Sequence, residues 1–105
     1  MNRTEQKLKM LFTKDVCDRI TFTEKDNKEN IQIDLHTLSC KEAERLVKNV
    51  IAVASEEFEL ELIHGYTHGT ALKSMINSHK LSDRVSNKYG LAYNPGVTRM
   101  TIDAA

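Results

Sequence analysis

Two short stretches in the middle of the chain carry residue types that do chemistry. Asp34-Leu35-His36 puts a carboxylate and an imidazole two positions apart. On an extended strand such residues project to the same side, so the pair can work together. A carboxylate beside an imidazole holds it in one tautomer, which suits the ring to general acid–base chemistry near neutral pH. The second stretch, His64-Gly65-Tyr66-Thr67-His68-Gly69-Thr70, combines two imidazoles, two glycines and two threonines. Gly65 and Gly69 allow close backbone approach to a ligand. A helix starting near Thr70 would offer unpaired N–H groups and a positive dipole end to an anion. Together the two clusters suit a phosphodiester better than a neutral substrate. The expected catalytic residues are Asp34, His36 and His64. Gly65, Thr67, His68, Gly69, Thr70 and Lys73 are expected to hold phosphate, with Arg84, Lys88 and Arg99 extending the contact along a nucleic acid.

Each cluster also has a plainer reading. A lone Asp-x-His at a strand end can cap a turn, and a glycine-containing strand-to-helix turn is a general connection. Asp34, His36, His64 and His68 together form a donor set that suits zinc. No helix carrying His-x-x-x-His and no cysteine pair supports a metal centre, so none is expected. No cofactor is demanded by these residues; a divalent cation such as magnesium is compatible with the chemistry.

The elements that must position the clusters follow from periodicity. Ile31-Gln32-Ile33-Asp34-Leu35 alternates at period two and reads as a strand with Ile31, Ile33 and Leu35 inward. Ser39-Cys40-Lys41-Glu42 has the form of a capping box, and Ala43, Leu46, Val47, Val50, Ile51 and Ala54 follow at helical spacing. This predicts a helix over 40–55. Residues 59–63 read as a second strand, 70–79 as a second helix burying Ala71, Leu72, Met75 and Ile76, and 85–89 as a third strand. After the turn at Asn94-Pro95-Gly96, residues 97–102 read as a fourth. Strands joined through helices are usually parallel, and the last two should be antiparallel. The expected fold is α+β: two βα units plus two C-terminal strands, a small mixed four-stranded sheet with two helices on one face. In such sheets ligands bind beyond the C-terminal ends of the parallel strands, where both clusters fall.

Residues 1–30 read as an N-terminal extension to a domain spanning 31–105. Leu8, Leu11, Phe12 and Val16 suggest a helix that Thr4 would cap. Residues 19–23 suggest a short strand, and 24–30 a polar turn or loop that could close a hairpin between 19–23 and 31–35.

The 105 residues make one domain at most. Lys plus Arg equals Asp plus Glu at 15 each, which excludes binding of nucleic acid by bulk charge alone. The distribution is uneven: +1 over 1–30, −4 over 31–70 and +3 over 71–105. No apolar run reaches the ~18–20 residues of a membrane span, and the N-terminus carries no apolar signal segment. Cys17 and Cys40 read as reduced thiols, so a cytoplasmic location is expected.

The clusters also resemble a family. Ile33-Asp34-Leu35-His36 looks like the Leu-Asp-x-His motif of the Smr (small MutS-related) domain. The segment from His64 to Lys73 looks like that domain's second motif, His-Gly-x-Gly-x-Gly followed by Leu-Arg. Asn94-Pro95-Gly96-Val97-Thr98 resembles its closing loop and last strand, and the likeness covers residues 31–103. It implies a fold similar to the C-terminal domain of translation initiation factor three. It also implies DNA or RNA binding and, in several members, endonuclease activity; the alternative expectation is a non-catalytic module that binds nucleic acid or the ribosome. By position, Asp34 and His36 would be the active pair, His64 and Gly65 would open the second motif, and Lys73 would stand for the arginine. The chain departs from the pattern at Thr67 and Thr37, where members commonly have glycine, and in one extra residue before Leu72.

Overall fold

The structure, a computed structural model, describes residues 3–65 and 70–105. Among the described residues nine elements follow one another: α1 (Arg3–Leu11), α2 (Lys14–Cys17), β1 (Ile20–Lys25), β2 (Lys28–Asp34), α3 (Cys40–Val53), β3 (Phe58–Ile63), α4 (Ala71–Ser78), β4 (Val85–Leu91) and β5 (Asn94–Ile102). The class is α+β, and the strand–helix order from β2 onward is the expected one. The five strands form one sheet in the order β1-β2-β3-β5-β4. β2 and β3, joined through α3, are parallel, with Asp34 level with Ile63; every other pairing is antiparallel.

The sheet has five strands where four were expected, because the N-terminal segment contributes one. The hairpin closed by residues 24–30 forms, but its turn is shorter than that whole stretch. Asp26 and Asn27 both adopt positive φ, 56° and 63°, and make a two-residue turn between Lys25 and Lys28. Asp and Asn tolerate that backbone, and it matches the twist of a hairpin. The polar residues on either side continue as strand, since an edge hairpin can be wet on both faces. The N-terminal helix is also interrupted. Thr4 lies inside α1, and Thr13 caps α2 by accepting from the Val16 N–H.

Period two sorts the sheet into faces. Ile20, Ile31, Ile33, Leu35, Phe58, Leu60, Leu62, Met100 and Ile102 are buried on the inner face with Leu46, Val47, Val50 and Ile51 of α3 and Met75 and Ile76 of α4. Leu8 of α1 joins them, so a third helix shares the layer expected to hold two. Ala71 is exposed rather than buried, as it stands at the first position of α4. The capping box forms as read: the Ser39 hydroxyl accepts from Glu42 N–H and the Glu42 carboxylate from Ser39 N–H, both at 3.1 Å. These bonds hold the Glu42 carboxyl below the usual range, the Ser39 N–H contributing most.

Candidate active site at the ends of the parallel strands

Asp34 is the last residue of β2, and the chain then reverses over Leu35-His36-Thr37-Leu38, closed by Leu38 N–H to Leu35 O at 3.1 Å. Leu35 is buried and pins this turn: its N–H bonds Ile63 O of β3 at 2.8 Å. Because Leu35 points inward, Asp34 and His36 flank it on the open side. The Asp34 carboxylate accepts from the His36 ring at Nδ1 and from the His36 backbone N–H. The carboxylate can only accept, so Nδ1 carries the proton and Nε2 is the ring's acceptor. Among the described residues nothing bonds Nε2, and the side chain is 59% exposed. The pair therefore presents an oriented imidazole nitrogen to solvent at the edge where ligands bind in such sheets.

Thr37 stands at the third position of the turn with φ +75°. A β-branched residue there is strained by about 1–3 kcal/mol, a position glycine usually takes. The strain is offset by Arg19, which precedes β1. Its Nη1 donates to Asp34 O (3.0 Å) and His36 O (2.9 Å), and its Nη2 to Thr37 Oγ1 (3.0 Å). Arg19 O accepts from Asp34 N–H in return. Nothing in the sequence singles out Arg19. It lies 15 to 18 positions from its partners, and only the hairpin register brings them together.

His64 follows β3 in the inward phase of Phe58, Leu60 and Leu62. Its ring is 5% exposed. Nδ1 lies 2.8 Å from Gly65 O, a pure acceptor, so Nδ1 donates; Nε2 accepts from the buried Thr98 hydroxyl at 2.9 Å. Both nitrogens are thus committed to the fold, on the opposite face of the sheet from Asp34. The structure does not bring His64 to the Asp34–His36 pair, because successive residues of a strand alternate faces. Gly65 takes φ +74°, and its N–H and that of His64 both bond Gly96 O. This ties the end of β3 to the start of β5, on the rim of a shallow outer-face depression of about 300 Å³ lined also by Ile63, Asn94 and Val97.

Thr67, His68 and Gly69 lie outside the described residues. Thr70 precedes α4, is exposed, and makes no side-chain capping bond. Lys73 is half-buried one turn into that helix. The three remaining cations are tied elsewhere. Arg84 donates to Ile51 O (2.6 Å), Asp103 O (2.8 Å) and Glu56 O (3.4 Å), clamping the end of α3 to the residue after β5 and to the segment before β3. Lys88 reaches inward to Ile76 O near the end of α4, and burial pulls its pKa down. Arg99 lies on the outer face and donates to Asn30 Oδ1 at 3.1 Å. Among the described residues no three His, Cys, Asp or Glu side chains gather as a metal site.

The opposite end of the sheet is acidic. At the N-terminal ends of β2 and β3, Glu5, Glu24, Glu29, Glu56 and Glu57 ring a depression of about 820 Å³ that contains Lys28. Burial, then Glu56 and Glu24, push the Glu29 carboxyl above its usual range. A polyanion is repelled there. No helix among the described residues is long and apolar enough to cross a membrane. Compared with protein-family models, with curated proteins and with solved structures, the chain has no match.

Proposed function

We propose that the protein binds nucleic acid at the C-terminal ends of β2 and β3 and that Asp34 and His36 cleave a phosphodiester there. The observation that carries this reading is the exposed, hydrogen-bonded Asp34–His36 pair. Asp34 fixes the proton on Nδ1, so Nε2 takes a proton from the attacking oxygen and returns it to the leaving oxygen. Lys73 and the first N–H groups of α4 offset the phosphate charge. Arg84 and Lys88 are left out, since their charged ends serve backbone carbonyls of the fold. The acidic opposite end favours approach at this one.

A second reading, a module that binds without cleaving, is favoured by the burial of His64, which leaves no second proton-transfer group beside His36 among the described residues. One experiment separates the two. Wild type and an Asp34→Ala, His36→Ala double variant are incubated with supercoiled plasmid and with structured RNA, at low salt, with and without magnesium. Cleavage by wild type alone supports the nuclease. Retardation in a gel by both proteins, steeply weakened by salt and without cleavage, supports the module. Neither binding nor cleavage sinks both readings.

A further inference from the structure

We infer that Arg19 is a positioning residue for the Asp34–His36 pair, so that the N-terminal segment is a working part of the site. This rests on the functional reading above for its purpose, and on geometry for its content. The turn that carries the pair has two features that resist its shape. Thr37 sits at φ +75°, where a side chain is strained. The backbone carbonyls of Asp34 and His36 face a common point, and both need a donor there. The Arg19 guanidinium answers both at once, with its planar fork spread over two carbonyls and the Thr37 hydroxyl. Its hydrogen bonds go to Asp34 O, His36 O and Thr37 Oγ1 and not to the Asp34 carboxylate or the His36 ring, so its action on them runs through the turn. Without it, Thr37 relaxes toward negative φ. The His36 backbone then swings, and the Nδ1–H bond to Asp34 loses its alignment.

The reporter is the tautomer of the His36 ring, read by nitrogen NMR on labelled full-length protein above neutral pH. Wild type is expected to hold the proton on Nδ1. Arg19→Ala is expected to move it to Nε2, the form an unconstrained neutral histidine side chain prefers. Arg84→Ala is the control: it removes a clamp of the same kind, on three carbonyls at the other end of the molecule. It should lower the melting temperature and leave the His36 tautomer alone. Thr37→Gly in the Arg19→Ala background should restore Nδ1–H, because glycine takes this φ without a clamp. If Arg19→Ala does not fold, Arg19→Lys is read the same way, since an ammonium cannot span all three acceptors.

The inference is overturned if the Arg19 variant keeps Nδ1–H, if Arg84→Ala loses it too, or if the glycine double variant is no better than the single one. Its failure is distinct from failure of the nuclease reading. A tautomer that moves in a protein that cuts nothing leaves Arg19 in its role and removes the proposed reaction. Cleavage that survives Arg19→Ala with an unmoved tautomer does the reverse.

Discussion

His64 and His36 should respond to truncation in opposite ways, and His64→Ala is the sharper test. The imidazole is 5% exposed and lies among Leu62, Thr98 and the start of β5. Trimming a buried side chain of that size to alanine costs about 2–5 kcal/mol through lost transfer energy and the cavity left behind. The Thr98 hydroxyl is itself 1% exposed and loses its partner at 2.9 Å. An orphaned buried hydroxyl adds about 1–3 kcal/mol. Even the low ends of both ranges total about 3 kcal/mol, a large share of the ~5–15 kcal/mol that holds a domain together. Urea unfolding followed by far-ultraviolet circular dichroism reads this as a lower midpoint at constant slope. Thr98→Val alone should cost about 1–3 kcal/mol. The double variant should cost less than the two singles together, since the valine removes the stranded hydroxyl. His36→Ala, by contrast, removes a 59% exposed ring and should shift stability by less than about 1 kcal/mol. A His64→Ala protein as stable as wild type that had lost nucleic-acid cleavage would refute the assignment and return His64 to the active site.

Other outcomes follow from groups away from the pair. Arg84→Ala should cost about 1–3 kcal/mol, because it removes three hydrogen bonds from a charged donor, one of them part-buried; a melting temperature equal to wild type would show the clamp is idle. Ser39→Ala should cost about 1 kcal/mol through loss of the cap on α3. The Glu42 carboxyl is lowered on folding, so its contribution is present above the ordinary glutamate range and is lost as pH falls through the lowered value. The destabilisation by Glu42→Gln, measured as a urea midpoint, should therefore shrink on acidification; a pH-independent cost would contradict the carboxylate's part. Glu29 has the opposite sign. Its raised carboxyl favours folding below the ordinary range, and that contribution is lost as pH rises through the raised value. Glu29→Gln should raise the urea midpoint at pH 7, with the gain closing toward pH 4; a gap that stays constant argues against desolvation and like-charge crowding at that end.

The elements with a local physical signature were legible in the residues. The capping box announced α3, and the alternation of 31–35 and 59–63 announced the parallel pair. Where local signals were absent the reading fell short. Lys28-Glu29-Asn30 has no apolar alternation, yet it is strand, because hydrogen bonds to β1 and β3 hold it on both sides. Arg19 carries no motif at all. Its role exists only once the hairpin aligns residues 15 to 18 positions apart. Arg84 and Lys88 looked like surface cations, and chain closure turned them onto carbonyls of α3 and α4. No property of a lysine or arginine in sequence distinguishes these fates, since the long apolar stem allows either.

The fate of the two histidines, however, was written in phase. Ile31, Ile33 and Leu35 mark the inward positions of β2, so Asp34 and His36, displaced by one, must leave the core. Phe58, Leu60 and Leu62 mark the inward positions of β3, and His64 continues that series. Chemistry-bearing residues at the same sheet edge are thus separated by parity: the out-of-phase carboxylate and imidazole meet solvent, and the in-phase imidazole fills the core with both nitrogens bonded. The same parity constrains any further partner of His36. A side chain that joins it from β3 must come from the phase of Glu59, Glu61, Ile63 and Gly65; Ile63 is the residue level with Asp34, while Glu59 and Glu61 lie further back along the strand and accept from Thr101 and Gln32. A second proton-transfer group for His36 is therefore not supplied by β3, so a test for one belongs outside that strand.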